Sequence, residues 1–531
     1  MTAREGLVKA AGIVAALTII SKILGFAREA SLAAVFGAKY VTDAYLVGQT
    51  IPGLVFASVG AALATTFIPV YAQILRERGR DGAYAMADSV INATLLASVV
   101  LIGIGELLAG PLTRMVAPGF RGPVYELTAE LTRVMFPMVL FQSLSGVLTG
   151  MLQTESNFFV PAMVGLWFNG LIIASILWLG PRFGIGAVAV GTVVAVAMQA
   201  VVQVPALLKI GYRWRPVLNL RDPGLARIVK LSGPVLIGTS VGQLGLLVDR
   251  VLASGLAEGS VAALNYAYKL MLLVPSVFGT AITTVMYPTL ARISAEADWT
   301  RYSSGFAEAV KVINFLMIPV AVGMAVLRVP LVRLAFERGA FDAQATDATS
   351  WALLFFALSA AVFSLRELVN RAFYAFQDTL APMVVGAVAV VINIVLNLTL
   401  VTPLRQGGLA LATSLAAVFN TVALLWILRR RIRRVSAGSA QGIGGRAILD
   451  SLWRVVAASL AMGAAVWFTY GQLEAKAPGG GVLAQGLRLF GAVGLGVVVY
   501  GFLVFLLQVP EARLAWELAR NQFCILARRL N

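Results

Sequence analysis

The sequence predicts an all-α, polytopic membrane protein of about fourteen transmembrane helices. Three observations predict it. Hydrophobic residues make up 59% of the 531, with a mean hydropathy of +0.86. Apolar runs long enough to cross a bilayer recur along the whole chain, separated by short loops that hold most of the Lys and Arg. A pattern of residues in the first half also returns in the second, offset by roughly 220 positions.

The first span follows Arg4 and Lys9. It continues too far for a signal peptide and lacks a convincing cleavage site, so it reads as a retained span. Within it, residues 21–37 read SKILGFAREASLAAVFG, with Lys22, Arg28 and Glu29 in otherwise apolar surroundings. An ionised side chain at membrane depth costs a few kcal/mol, so it normally faces a partner or a cavity. On a helix, Lys22 and Glu29 share a face and Arg28 lies about a third of a turn away. Either a Lys–Glu pair neutralises itself between helices, or the stretch forms a cationic cavity wall for an anionic ligand.

The second span, residues 43–74, holds Pro52, Gly53, Gly60 and Pro69. These predict a kinked or broken helix, with Asp43 placed to cap its start. The remaining spans centre at about residues 97, 140, 170, 195, 240, 276, 315, 360, 392, 417, 459 and 494. In the eighth, Asn265-Tyr266-Ala267-Tyr268-Lys269 carries a lone cation, assigned to the cavity rather than to snorkelling. In the tenth, Arg366, Glu367 and Arg371 predict a structural ion pair. Arg328, Arg333 and Arg338 flank a short amphipathic stretch expected along the membrane interface. A flexible connector at 436–445, SAGSAQGIGG, leads to two further spans, and the tail at 510–530 reads as an amphipathic basic surface helix.

Charge gives the orientation. Basic clusters at 76–80, 209–230, 429–434 and 513–529 fall on the same side as Arg4 and Lys9, whereas the loops at 37–42, 255–260 and 402–406 are poor in Lys and Arg. The positive-inside rule then makes both termini cytoplasmic. Topology also accounts for the net charge of +17, so no nucleic-acid partner is expected. Histidine is absent and Cys524 is the single cysteine. That removes a histidine proton relay, a His/Cys zinc site and an intrachain disulfide. No Walker A, nucleotide-binding glycine fingerprint, HExxH or histidine triad is present, so no enzyme is expected.

The repeat organises the rest. Val8-Lys9 with Gly12 matches Val229-Lys230 with Gly233; Phe67-Ile68-Pro69 matches Met286-Tyr287-Pro288; Gly186 and Thr192 match Gly408 and Thr413. Each half therefore holds six spans, and an even number relates the halves by a pseudo-two-fold axis along the membrane normal. The expected domains are a six-helix lobe at 1–220, a second at 221–435, and two additional spans with the tail at 436–531. Two such lobes enclose a cleft and rock to give alternating access. Asp249 and Arg250 take the place in the second lobe of Arg28 and Glu29. Asn393 and Asn397 share a helix face. They serve either interhelical hydrogen bonding or, with Asp249 and Thr413, as oxygen ligands for a hard cation such as Na⁺.

The motif Ser21-Lys22-Ile23-Leu24-Gly25-Phe26-Ala27-Arg28-Glu29, followed by Phe36-Gly37 and Thr42-Asp43-Ala44, resembles the opening of the MurJ/MviN lipid II flippases. These belong to the multidrug/oligosaccharidyl-lipid/polysaccharide (MOP) exporter superfamily. Arg371-Ala372-Phe373-Tyr374-Ala375 with Gln377-Asp378 adds to the likeness, which extends over nearly the whole chain. The resemblance implies a monomeric flippase for lipid II in the membrane, with Lys22, Arg28 and Lys269 at positions that bind the substrate's diphosphate. Lysine at two of them keeps charge but loses the bidentate fork. Glu29 and Asp43 are then gating or charge-pair residues. A sodium site implied for some members would comprise Asp249, Asn393, Asn397, Thr413 and the Leu409 carbonyl. Rival readings are a flippase for another polyprenyl-diphosphate glycan, a cation-coupled drug exporter of the superfamily, and a non-transporting scaffold. The cations at 22, 28 and 269 argue against an exporter of cationic drugs.

Overall fold

The computed structural model describes residues 3–436, 442–476 and 481–512, and these are helical with short connections and no strand. The tail beyond residue 512 and residues 437–441 of the connector lie outside the described residues. In order the helices are α1 (Ala3–Phe36), α2 (Tyr40–Val116), α3 (Pro123–Met135), α4 (Met138–Thr154), α5 (Phe159–Ala174), α6 (Gly180–Val201), α7 (Val204–Lys209), α8 (Pro223–Ala253) and α9 (Ser260–Val274). There follow α10 (Thr280–Ala295), α11 (Trp299–Val326), α12 (Arg328–Phe336), α13 (Ala343–Ala375), α14 (Leu380–Leu404), α15 (Gln406–Val435), α16 (Gly445–Lys476) and α17 (Val482–Leu506). Single π turns, Ser175–Leu179 and Pro275–Gly279, join α5 to α6 and α9 to α10.

Ten stretches among the described residues are long and apolar enough to cross a membrane. Two exceed the need of one crossing: Thr65–Val116, of 52 residues, and Phe159–Lys209, of 51. Each is bent by a glycine in the left-handed region, Gly79 at φ 69° and Gly184 at φ 72°. The arrangement is consistent with fourteen crossings.

The expected break in the second span is displaced. Pro52 and Pro69 both lie inside α2, and its non-helical residue is Gly79, past the end of the apolar run. A transmembrane helix tolerates proline because neighbours re-satisfy the exposed carbonyl. The arginine-flanked Gly79 lies where the chain must reverse.

Left-handed backbone recurs with the offset of the sequence matches. Gly37 pairs with Gly259, Gly79 with Ala297, Gly122 with Gly339, Ser156 with Gln377 and Gly184 with Arg405, each roughly 220 residues apart. Turns of the same kind thus recur in the same order in both halves.

Contacts group the chain into two compact units. One comprises Met1–Ala263 with Arg338–Ala345, the other Leu264–Glu337 with Thr346–Asn531. In the first, the core is built from Phe67, Tyr71, Met86 and Val90 of α2 with Met151 of α4 and Leu225 of α8. In the second, Tyr302, Phe306 and Ile313 of α11 pack with Phe373 of α13 and Leu428 of α15. There α16 and α17 form a smaller core through Val455, Met462, Ala492 and Val504. They are fastened to α11 by Tyr500, whose hydroxyl donates to the Phe315 carbonyl at 2.8 Å, and by Lys311, paired with Glu511 at 3.0 Å.

Candidate functional site

The charged motif of α1 packs against α5 in the first unit. Close approach is possible because residue 165 is glycine; a Cβ there would lie 2.3 Å from Ser21 Oγ. One turn on, Asn169 Nδ2 donates to the carbonyls of Gly165 at 2.8 Å and Ser21 at 3.2 Å. That fixes the amide and turns its Oδ1 toward Arg28, whose Nη1 donates to it at 3.2 Å. Arg28 Nη2 donates to Glu29 Oε1 at 2.7 Å, and the guanidinium lies 5.4 Å from the centre of the Phe168 ring. Glu29 is 5% exposed. The pair seen for Glu29 is therefore with its neighbour Arg28, where the helical wheel suggested Lys22. Of the five N–H donors of a guanidinium, these contacts use two, so an anion can be met by the others. Lys22 is half-buried two turns earlier on the same helix.

Lys269 lies half-buried on α9 in the second unit, on a helix whose tyrosines pack against other aromatic rings. Tyr266 packs on Phe336 with ring centres 5.0 Å apart, and Tyr268 meets Phe356 edge-on at 5.5 Å. Tyr268 also meets Phe363, over which the Arg366 guanidinium is stacked at 4.5 Å. The expected ion pair of α13 is Arg371 with Glu367, at 3.2 Å, and Arg366 stands outside it. The expected structural pair is thus present, and Arg366 adds a ring contact that was not named from the sequence. The i,i+3 spacing of Phe363 and Arg366 was the available signal.

The neutral candidates form a chain between α14 and α15. Asn397 Nδ2 donates to Asn393 Oδ1 at 3.2 Å, and Asn393 Nδ2 to Thr413 Oγ1 at 3.5 Å. Thr413 Oγ1 donates to the Leu409 carbonyl at 3.0 Å. Four of the five suggested cation ligands are therefore consecutive in one network. Asp249 belongs to α8 of the first unit, where its neighbour Arg250 donates to the Val261 carbonyl at 3.5 Å.

Asp43 does not cap its own helix, contrary to expectation. The residue before α2 is Lys39, with no capping side chain, and the buried Asp43 carboxylate instead accepts from the N–H groups of Gly259 and Ala262, both at 2.7 Å. It closes the start of α9. Glu258 Oε1 accepts from the Tyr40 N–H at 3.0 Å, so the loops around 37–43 and 254–262 are stitched in both directions. The stitch needs glycine: at Gly259, φ is 82° and a Cβ would lie 2.0 Å from the Ala38 carbonyl oxygen.

A helical bundle whose turns repeat across its halves is a fold shared with solved membrane transporters. An inward-facing multidrug resistance MATE transporter of the MOP superfamily superposes with a TM-score of 0.67 at 15% identity, over 79% of this chain and 96% of that one. A solved lipid II flippase MurJ in an inward closed conformation superposes with a TM-score of 0.77 at 22% identity, over 92% and 97%. The fold is that of the MOP superfamily. Within it, residues 32–476 match the model of the family described as lipid II flippase MurJ. The lipid II flippase MurJ of Burkholderia cenocepacia is 30% identical over 427 residues, covering 79% of this chain and 83% of that protein. A probable lipid II flippase MurJ of Vibrio cholerae is 30% identical over 533 aligned residues, covering 96% and 98%. The chain belongs to the MurJ lipid II flippase family.

Proposed function

We propose that this protein moves lipid II, the undecaprenyl-diphosphate-linked disaccharide-pentapeptide of peptidoglycan synthesis, from the inner to the outer leaflet of a bacterial cytoplasmic membrane. The observation that carries the reading is the Arg28 cluster: a cation at membrane depth, oriented by Glu29 and Asn169, with donors to spare for a diphosphate. Lys22 and Lys269 add charge for the same ligand. The protein acts as a monomeric carrier, without covalent chemistry, with both termini in the cytoplasm. The lobes at 1–220 and 221–435 rock about a central cleft, and the spans beyond 436 guide the lipid tail. Asp43 acts as a gate, because two hydrogen bonds to backbone N–H groups hold its closure and can be exchanged for water on opening.

Sodium coupling is part of the proposal. The amide, hydroxyl and carbonyl oxygens of Asn393, Asn397, Thr413 and Leu409 are of the hard, neutral kind that fits Na⁺. Asp249 is proposed as the charged ligand on the sequence argument alone. One positive charge moving inward releases about 2.3 kcal/mol per 100 mV. The test of the function is complementation of a strain depleted of its own lipid II flippase. Sustained growth is expected, and lysis despite full membrane insertion would overturn the reading.

A further inference from the structure

The segment that joins α7 to α8 is not helical, yet it is bound along one face of α2. Tyr84 donates from its hydroxyl to the Ile210 carbonyl at 2.8 Å. The Tyr212 hydroxyl donates to Asp88 Oδ1 at 2.6 Å, which also accepts from the Arg215 N–H at 3.2 Å. Asn92 Nδ2 donates to the carbonyls of Arg215 at 2.9 Å and Val217 at 3.0 Å, and the Asn219 N–H donates to Ser89 Oγ at 3.4 Å. Burial and the Asp88 carboxylate push the Tyr212 hydroxyl up, so it stays a donor. Tyr84, Asp88 and Asn92 are spaced i, i+4, i+8 and form a single stripe, which the segment follows as it runs from 210 to 217.

One turn further, the same stripe is bare and apolar. Leu96 is 57% exposed, Val99 and Val100 follow, and Leu107 is 82% exposed. This stretch lies within a helix apolar enough to cross the membrane, so it is the lipid-facing wall. Asn92 is one helical turn, roughly 6 Å, from Leu96. The strapped segment therefore ends at the edge of the hydrocarbon layer. Its own outward side chains suit that level: Trp214 is 52% and Leu220 68% exposed, Val217 lies between them, and Arg213, Arg215 and Arg221 are exposed alongside.

We propose that residues 211–221 are an anchor for the anionic surface of the bilayer. Arg213, Arg215 and Arg221 take lipid phosphates, while Trp214, Val217 and Leu220 enter the boundary with the acyl chains. Because α2 already holds the backbone, little conformational freedom is lost when the side chains engage lipid. Aromatic and basic residues at this depth match what a phospholipid headgroup layer presents. The inference uses only the membrane-spanning character of the chain, so it stands or falls separately from the substrate.

Spin labels at Val217→Cys and Leu220→Cys, in a Cys524→Ser background, test it in nanodiscs of phosphatidylglycerol or phosphatidylcholine. A label at Glu77→Cys, an exposed site on the polar part of α2, is the water-facing control. Labels at 217 and 220 should be at least fivefold less accessible to a water-soluble nickel relaxant than the control, and more accessible to oxygen. Replacing Arg213, Arg215 and Arg221 together by Ala should at least halve the phosphatidylglycerol retained from a mixed bilayer. Labels as accessible to nickel as the control in both lipids would overturn the anchor and leave a surface for a cytosolic protein. Unchanged phosphatidylglycerol retention would remove the anionic preference.

Discussion

Two polar cores inside apolar helices are built on opposite electrical plans. The α1–α5 core brings its own cation: Arg28 is paired with buried Glu29 and held by the Asn169 amide. The α14–α15 core is a string of amides and hydroxyls, Asn397 to Asn393 to Thr413 to the Leu409 carbonyl. Thr192 and Thr413 occupy matching places in the repeat. Thr192 contacts the Tyr45 hydroxyl at 2.9 Å in the first unit, while Thr413 stands within the amide chain of the second. A core that carries a guanidinium is completed by an anion. A core of neutral oxygens is completed by a cation. Under the proposed function, the cargo would be met by the charged core and the driving ion by the neutral one.

Removing the guanidinium breaks this comparison hardest. Arg28→Ala takes away the ion-pair partner seen for Glu29, and breaking a buried pair costs about 3–5 kcal/mol. Growth support in a flippase-depleted strain should be lost. Arg28→Lys separates stability from transport: it keeps the charge and the insertion but gives up the planar fork, so membrane levels should recover while transport stays impaired. Lys269→Ala should also abolish growth support while the protein still inserts in the membrane, because it removes a charge that the diphosphate meets. Full complementation by both alanine variants would reduce Arg28 to a structural partner of Glu29.

A gentler cut tests how the cation is aimed. Asn169→Ala removes one hydrogen bond to a charged group, about 1.5–3 kcal/mol at most. The Gly165 carbonyl keeps its helical partners, so the bundle should stay folded. Binding of undecaprenyl diphosphate should weaken roughly tenfold, the equivalent of about 1.4 kcal/mol. In an Arg28→Ala background the same change should do nothing further, because the amide acts through Arg28. An equal loss in both backgrounds would make Asn169 a helix-packing residue only.

The charges of α1 were legible because ionised residues at membrane depth stand out against their surroundings. Their partners were less so. A helical wheel sets Arg28 and Glu29 on diverging faces, yet the long arginine side chain folds back to its neighbour. Asn169 went unnoticed as a single amide in an apolar span, although Gly165 one turn before it marks a close helix approach. Asp43 read as a local cap because sequence shows only the nearest helix start. Its actual N–H groups lie more than two hundred residues away, at Gly259 and Ala262. The recurrence of Gly37 at Gly259 was the only pointer to that loop. The pairing of Asn393 with Asn397 followed from helical spacing alone and is what the structure contains.

The smallest expected effect sharpens the comparison from the other side. Asn397→Asp puts a full negative charge into the neutral core without changing its size. In the present network Asn397 Nδ2 donates to Asn393 Oδ1, so a carboxylate there gives up a donor and sets two acceptors side by side. Without a cation this arrangement is repulsive, and the variant should be less stable than the parent in potassium-only buffer. With Na⁺ the same oxygens gain a counter-charge, and the site should bind roughly tenfold more tightly, about 1.4 kcal/mol. Ligand that binds only the folded state raises its stability by the logarithm of its occupancy. The measurable signature is therefore a crossing: melting temperature lower than the parent in KCl and equal or higher in NaCl. The same substitution at Asn169 should show no such crossing, because the cation there is Arg28 itself and is present in either salt. A sodium-independent loss at both positions would mean that the α14–α15 amides serve helix packing, and the duplicated scaffold would then carry charge in one half only.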